Sequence, residues 1–157
     1  MDISPITDDL FISARPDPAS AESLRALNIG LIIDMRGEYR PKAIFRQPPF
    51  KLLWLRTYDF FFTPISMSIL EQGVRAALAT IAENKRVLVH CQHGRHRSVA
   101  MAAAILIAQG YSAKDAMRLI KEKRRAADPK IWYIRSRIEL FETYWAEHKT
   151  HEPASSQ

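Results

Sequence analysis

The stretch from Val87 to Ser98 concentrates side chains that can do chemistry. Its sequence, VLVHCQHGRHRS, holds one cysteine, three histidines and two arginines. Cysteine and histidine ligate metals, basic side chains bind nucleic-acid phosphates, and a cysteine in a positively charged loop can act as a nucleophile. The stretch therefore poses three alternatives: a metal site, a nucleic-acid patch, or an anion-binding catalytic loop.

The spacing of Cys91 and Arg97 favours the catalytic loop. Five residues separate them, which is enough backbone to curl around a tetrahedral phosphate while the planar arginine fork grips two of its oxygens. A predicted strand precedes the loop and a predicted helix follows it, so backbone N–H groups and the helix dipole point at one spot. Gly94 lets the backbone turn tightly. The same positive field favours the Cys91 thiolate, and the Ser98 hydroxyl can donate a hydrogen bond to that sulfur.

Three upstream carboxyl groups are candidates for the proton donor that such chemistry requires. A cysteine that attacks phosphorus needs an acid for the leaving oxygen and then a base for water, and one carboxyl group can do both. The candidates are Asp34, Glu38 and Asp59. We favour Asp59, because it follows a predicted strand and opens the loop YDFFFTP, which could close over the site. Asp34 has the position of a structural group, and Glu38 lies in a charged loop.

The two other interpretations of the stretch are weaker. His90, Cys91, His93 and His96 are all possible zinc ligands, but a strand residue and successive loop residues point in different directions, and Arg97 would place a cation beside the metal. We therefore expect no metal and no cofactor. The net charge of +6 suits anionic partners. Much of that excess lies in KEKRRAADPK, which is typical of a solvated helix face, so we expect no nucleic-acid partner.

Alternating strand and helix patterns surround the loop. LFISARP, IGLIIDM, KLLWLRT and RVLVH are predicted strands, and ASAESLRALN is a predicted short helix. Apolar spacing predicts a helix over 66–84, and SVAMAAAILIAQ is so apolar that its helix must be buried. Ser112 and Asp115 form a capping box for SAKDAMRLIKEKRRAA, and Asp128 with Pro129 is predicted to begin the last helix. The pattern predicts an α/β fold.

Length and composition fit one domain. The 157 residues are 47% hydrophobic, enough for a core, and we assign 1–149 to a single catalytic domain and 150–157 to a disordered tail. No apolar run reaches the roughly 20 residues that span a membrane, and the first residues do not resemble a secretory signal, so we expect no membrane partner. A single cysteine fits a reducing compartment. We expect a monomeric cytoplasmic protein.

The residues HCQHGRHRS fit an HCxxGxxRS signature, through which the chain resembles the cysteine-dependent protein tyrosine and dual-specificity phosphatases. Asp59 lies 32 residues before Cys91, which is similar to the acid-to-cysteine separation of the compact dual-specificity enzymes. The resemblance extends from LFISARP through the last helix. It implies a central, mostly parallel sheet of four to five strands flanked by helices, with the loop at the carboxyl end of a central strand.

The resemblance also implies residue roles. Cys91 would be the nucleophile, Asp59 the general acid and Ser98 the helper hydroxyl, while His90 would orient the loop and tune the thiolate. Substrate phosphate would be held by the Arg97 side chain and by the backbone of Gln92, His93, Gly94, Arg95, His96 and Arg97. The implied reaction is hydrolysis of a phosphorylated protein through a phosphocysteine intermediate. Phosphotyrosine is the first expected substrate, and phosphoserine or phosphothreonine is the next.

Two departures leave the substrate open. The chain is far shorter than the large tyrosine-specific enzymes and lacks an obvious segment for their deep cleft. In addition, GRHRS resembles the GKHRT of atypical phosphatases that act on inositol pyrophosphates, so an inositol polyphosphate or pyrophosphate phosphatase is the alternative. A phosphate-reading module without catalysis is disfavoured because nucleophile, arginine, serine and acid are all present. A rhodanese-type sulfurtransferase is disfavoured by the longer loop and the upstream aspartate.

Several side chains near the loop have weaker assignments. We expect the run Phe60 to Phe62 to pack beneath the aspartate's loop, and Arg124 and Arg125 to approach the rim of the site. For His93 and His96, solvated loop positions and contacts with substrate are equally open.

Overall fold

The computed structural model describes residues 1–150 and contains one five-stranded sheet. The strands are β1 (Ile3–Pro5), β2 (Leu10–Ser13), β3 (Ile29–Arg36), β4 (Lys51–Thr57) and β5 (Arg86–His90). Their spatial order is β1-β2-β5-β3-β4, and only the β1–β2 pair is antiparallel. The predicted α/β class and mostly parallel sheet are confirmed. The short edge strand β1 has no counterpart among the predicted strands.

Five helices flank the sheet in the described residues. They are α1 (Ala21–Ala26), α2 (Met67–Ala82), α3 (Arg97–Ala108), α4 (Ala113–Lys123) and α5 (Trp132–His148). The side chain of Ser66 caps α2 by accepting from the Ile69 N–H at 3.1 Å, and that of Ser112 caps α4 by accepting from the Asp115 N–H at 3.0 Å. No helix within residues 1–150 is long and apolar enough to cross a membrane.

Helix α3 lies at the centre of the larger core. Almost every residue of α3 is buried between the sheet and α2, α4 and α5. Its small alanines allow close packing, and α2 approaches so tightly that a Cβ atom at Gly73 would collide with the Met101 sulfur. A smaller core that includes Leu24 and Phe45 lies in a separate cluster with α1. Helix α3 is therefore a rigid support for the loop that precedes it.

The segment between α4 and α5 departs from the predicted helix boundaries. Helix α4 ends at Lys123 rather than continuing through RRAA, and α5 begins at Trp132 rather than at Asp128 and Pro129. Arg124 is extended, and its side chain turns toward the loop that follows β5. The Asp128 N–H donates to the Arg95 carbonyl at 2.9 Å instead of starting a helix. Contacts with the catalytic region thus override the local capping signals.

Of the predicted tail, 150–157, Thr150 is a described turn residue, and residues 151–157 lie outside the described part of the chain.

Candidate active site

Cys91 lies where β5, at the middle of the sheet, meets the loop that leads into α3. We call residues 91–98 the cradle loop. The thiol is 3% exposed, and its Sγ lies 3.2 Å from Ser98 Oγ. Gly94 adopts a positive φ of +67°, the backbone conformation that a glycine tolerates best. The loop therefore curls beneath the N-terminus of α3 with the sulfur at its floor.

The surroundings of Cys91 stabilise its thiolate. Burial works in the opposite direction, but hydrogen bonds from the Ser98 side chain and backbone and the positive charge of Arg97 lower the pKa of the Cys91 thiol. The backbone N–H of Gly94 contributes in the same sense. A nucleophilic sulfur in this position is charged at a lower pH than a free cysteine.

The Arg97 side chain is held by several acceptors and keeps one N–H group without a partner. The side chain of Arg97 is buried, and its Nη1 and Nη2 donate to the two carboxylate oxygens of Glu38, each at 2.7 Å. Nη1 also donates to the Thr57 carbonyl at 2.9 Å. The Nε of Arg97 is buried and has no hydrogen-bond partner. Because a buried N–H without an acceptor is costly, this donor fits an anion bound in the cradle loop.

His90 and Asp34 brace the base of the cradle loop. The His90 Nδ1 donates to the Cys91 carbonyl at 3.2 Å, and its Nε2 lies 3.6 Å from Asp34 Oδ2. Burial lowers the pKa of His90 despite the nearby Asp34 charge, so the imidazole is neutral. Asp34 is fully buried and accepts three hydrogen bonds from Arg36. It is a structural anion with no free oxygen directed to the site.

Asp59 is held over the cradle loop by two side chains. His96 Nδ1 donates to one carboxylate oxygen at 2.8 Å, and the Tyr133 hydroxyl donates to the other at 2.8 Å. Burial acts to raise the pKa of Asp59, but these two hydrogen bonds together with nearby positive charge outweigh it, so the pKa is lowered. The three carboxyl candidates are thereby separated: Asp34 is bound by Arg36, Glu38 is bound by Arg97, and Asp59 stands at the mouth of the loop.

Some side chains of the cradle loop are exposed to solvent, and others are partly or fully buried. His93 and Arg95 are exposed, Gln92 and His96 are partly buried, and Gly94 is buried. The Gln92 amide oxygen accepts from Arg36 at 3.3 Å. The loop backbone thus faces the cradle while two of its basic side chains remain free at the rim.

Arg124 supports the cradle loop from beneath, which corrects its assignment to the rim. The residue is 2% exposed; its Nε donates to the Gly94 carbonyl at 2.8 Å and its Nη2 to the His93 carbonyl at 3.2 Å. Its other contacts are with Asp2 and Ser4 at the first strand. Arg124 therefore ties the loop to β1, while Arg125 is exposed.

The expectation that three phenylalanines pack beneath the aspartate's loop is wrong. We call residues 58–64 the aspartate loop. Phe60, Phe61 and Phe62 are 48%, 43% and 74% exposed. Asp59 is directed to His96 and Tyr133, while the three rings that follow it pack against one another on the surface.

Two functional contributions were not anticipated from the sequence. Glu38 is the partner that orients Arg97, and Tyr133 is a second donor to Asp59. Tyr133 lies in an apolar stretch at the start of α5, so only its position in the fold gives it this contact. Burial and the hydrogen bond to Asp59 raise the pKa of Tyr133 to about 12, so it remains a donor.

The histidines do not converge on a metal site. Within residues 1–150 no group of three histidine, cysteine, aspartate or glutamate side chains is arranged to hold a metal ion. His90 turns to the protein interior, and His96 turns to Asp59.

A buried cysteine at the end of a central parallel strand, beside an oriented arginine and a helix N-terminus, forms a site suited to an oxyanion such as phosphate. The sequence profile described as "Dual specificity phosphatase, catalytic domain" matches residues 10–143. The chain belongs to this family and is a phosphatase. A search of curated protein sequences returns no match to this chain.

Solved structures of the same fold cover nearly all of the chain. PTPMT1 is 23% identical, with 96% of this chain and 99% of that chain covered and a TM-score of 0.84. A mouse putative dual specificity phosphatase complexed with zinc tungstate is 22% identical, with coverage of 96% and 93% and a TM-score of 0.83. Human DUSP28 is 20% identical, with coverage of 92% and 99% and a TM-score of 0.82. These likenesses confirm the expected fold.

Proposed function

We propose that this phosphatase hydrolyses phosphomonoesters through a phosphocysteine at Cys91. The Cys91 thiolate attacks phosphorus and forms an S–P bond as the P–O bond to the leaving group breaks. Asp59, in its protonated form, gives its proton to the leaving oxygen. Arg97 Nε and the backbone N–H groups of the cradle loop hold the phosphoryl oxygens as charge develops on them.

In the second step water replaces the cysteine. Asp59, now a carboxylate, takes a proton from the water that attacks phosphorus, and the S–P bond breaks to release phosphate. Ser98 stabilises the departing thiolate through the contact at 3.2 Å. The single observation that carries the proposal is the buried group of Cys91, Ser98 and Arg97, in which the sulfur contacts Ser98 Oγ and the Arg97 Nε has no hydrogen-bond partner.

As the substrate class we propose phosphotyrosine in proteins first, and phosphoserine or phosphothreonine next. The side chains beside Asp59 in sequence, Tyr58 and Phe60, are both exposed. They provide aromatic surface near the position of the leaving group, which suits an aryl ester.

The test is a kinetic comparison of matched phosphotyrosyl and phosphothreonyl peptides with inositol phosphates. We expect the highest kcat/KM on the phosphotyrosyl peptide, and mass spectrometry of rapidly quenched enzyme should find the phosphate on Cys91. A higher kcat/KM on an inositol phosphate would mean that an inositol phosphate, rather than a protein, is the preferred substrate. Phosphate on another residue would contradict the mechanism.

An inositol polyphosphate or pyrophosphate is the second candidate. The exposed basic side chains of His93 and Arg95 at the rim favour a substrate with more than one phosphate. One of the similar structures is of PTPMT1 in complex with PI(5)P, with 23% identity and a TM-score of 0.84. Replacing Arg95 by Gln should lower kcat/KM for an inositol polyphosphate more than for a phosphotyrosyl peptide if this candidate is right.

Other properties stay predictions. They are a single catalytic domain over 1–149, a monomeric state, a cytoplasmic location, independence of metals and cofactors, and the absence of a nucleic-acid partner.

A further inference from the structure

Exposed aromatic side chains are concentrated around the mouth of the cradle loop. Six of the nine large apolar residues that are most exposed in the described chain lie on segments that border the site: Tyr39, Tyr58, Phe60, Phe61, Phe62 and Trp132. Single exposed apolar residues are normal on a protein surface, but a contiguous group marks a place of interaction.

Four of these rings form one continuous surface, which we call the aromatic patch: Phe60, Phe61, Phe62 and Trp132. The ring centres of Phe61 and Phe62 lie 4.1 Å apart, and those of Phe61 and Trp132 lie 6.0 Å apart. The patch therefore joins the aspartate loop to the start of α5. Phe62 and Trp132 are its most exposed members, at 74% and 61%.

The patch is attached directly to the catalytic acid. Trp132 precedes Tyr133, which donates to Asp59, and Phe60 follows Asp59 in the chain. A surface that covers the patch therefore lies close to Asp59.

The charges near the patch are those that suit an anionic surface. Arg95 and Lys130 are exposed and form no ion pair within the described residues. Arg95 lies next to His96 in the chain, and its carbonyl accepts from the Asp128 N–H. Lys130 is two residues before Trp132. The acidic groups at the mouth have partners: Glu38 is paired with Arg97, Asp59 accepts hydrogen bonds from His96 and Tyr133, and Asp128 lies 3.8 Å from His96. Exposed rings beside free cations are the combination that binds the interface of an anionic bilayer.

We propose that the aromatic patch docks on the surface of an anionic phospholipid membrane, where the cradle loop acts on phosphomonoesters of lipid headgroups in addition to the soluble substrates proposed above. Phenyl and indole rings enter the boundary between headgroups and acyl chains, while Arg95 and Lys130 face the lipid phosphates. The proposal reverses the expectation of no membrane partner. That expectation came from the lack of a spanning segment, and a docked protein needs none.

This assignment of substrate rests on the proposed phosphatase function, so the test measures binding and catalysis separately. Binding is measured by sedimentation with vesicles of phosphatidylcholine, with and without phosphatidylserine. The variants are Phe62→Ser, Trp132→Ser and the double variant. The matched control is Tyr111→Ser, which removes an exposed ring beyond the far end of α3, about 18 Å along the helix axis from Arg97.

We expect wild type and Tyr111→Ser to bind vesicles that contain phosphatidylserine more tightly than neutral ones. Each patch substitution should weaken that binding by about tenfold, because the free energy gained by transferring an aromatic ring from water to the bilayer is lost. Hydrolysis of a soluble aryl phosphate should be the same in all variants, whereas hydrolysis of a phosphoinositide in vesicles should fall with binding.

Other outcomes would overturn either the docking proposal or the proposed phosphatase function. Equal vesicle binding by wild type and the double variant, or no binding at all, would overturn the docking proposal. So would an effect of the patch substitutions on KM for phosphopeptides without any on vesicles, which would assign the patch to a protein partner. If the wild type does not hydrolyse a soluble aryl phosphate but still binds vesicles through the patch, the proposed function is overturned and the docking proposal is not.

Discussion

In the proposed reaction the cradle loop supplies the nucleophile and the aspartate loop supplies the acid, but the two loops are built differently. In the cradle loop Cys91, Gly94, Arg97 and Ser98 are all buried, between a core strand and the most buried helix of the fold. In the aspartate loop, by contrast, three consecutive phenylalanines are exposed. There the side chain of Asp59 is positioned by only two hydrogen bonds, from His96 and Tyr133.

The difference indicates how each half tolerates change. The geometry of the cradle loop is fixed by the packing that stabilises the domain, and its donors serve every substrate in the same way. The position of Asp59 depends on a few polar contacts, and its proton matters only in proportion to the basicity of the leaving group. Substitutions should therefore reduce activity uniformly in the first region and in a substrate-dependent manner in the second.

Replacement of the nucleophile should have the largest effect. In Cys91→Ser we expect hydrolysis of every phosphomonoester to fall by at least about four orders of magnitude, since a serine hydroxyl ionises far less readily than a thiol and is a weak nucleophile without an adjacent base. Inorganic phosphate should still bind, because Arg97 and the loop backbone are unchanged; isothermal titration measures this. Near-normal hydrolysis by the variant would show that Cys91 does not carry the phosphoryl group.

Arg97→Lys should have the next largest effect. Lysine cannot bind Glu38 in two places and also present a third donor to phosphate, so kcat/KM should fall by roughly a hundredfold to a thousandfold. The same fall is expected for aryl and alkyl phosphates. Arg95→Lys is the matched control, because that side chain is exposed, and it should cost less than about tenfold. A strong dependence of the Arg97→Lys effect on the leaving group would contradict a role confined to the phosphate.

The sequence predicted the cradle loop better than the aspartate loop for a physical reason. Residues 91–98 act through local geometry, because strand, turn and helix N-terminus follow each other directly in the chain. The signature therefore indicates the site before any tertiary structure is known. The burial of α3 followed from its apolar composition, whereas the mostly parallel sheet was implied by the family resemblance.

The remaining features depend on contacts between distant segments. Glu38 binds Arg97 across 59 positions, and Tyr133 reaches Asp59 across 74. Arg124 was expected at the rim, but it is drawn under the loop by carbonyl groups that no periodic pattern reveals. The exposure of Phe60 to Phe62 could not be read from the apolar pattern either, since Phe61 contacts Trp132, which lies 71 positions further along the chain.

Asp59→Asn tests the substrate dependence of the second region. The amide cannot give up a proton, so we expect kcat to fall by roughly a hundredfold for an alkyl phosphate, whose leaving oxygen is strongly basic. A nitrophenyl phosphate needs little protonation and should be affected much less. Single-turnover measurement of the first step with both esters gives the comparison. An equal loss for both would mean that the acid is another group and that Asp59 is structural.

Tyr133→Phe should give the smallest change in rate, but one with a defined direction in pH. Asp59 acts as an acid only while protonated, so the first step slows as pH rises through the pKa of Asp59. The hydrogen bonds from His96 and Tyr133 lower that pKa against the opposing effect of burial. Removing the Tyr133 hydroxyl removes one of these two influences, so the pKa of Asp59 rises and the descending limb of kcat/KM moves to higher pH.

The rate at the optimum should fall by less than about tenfold, since His96 still holds one carboxylate oxygen. Tyr144→Phe is the matched control on the same helix: its hydroxyl donates to Glu71 at 2.7 Å, away from the site, and its profile should overlay that of the wild type. A descending limb that stays in place in Tyr133→Phe, or moves to lower pH, would mean that the Tyr133 hydroxyl does not tune the acid. The aspartate loop would then be positioned by His96 alone, which would make the contrast with the cradle loop sharper still.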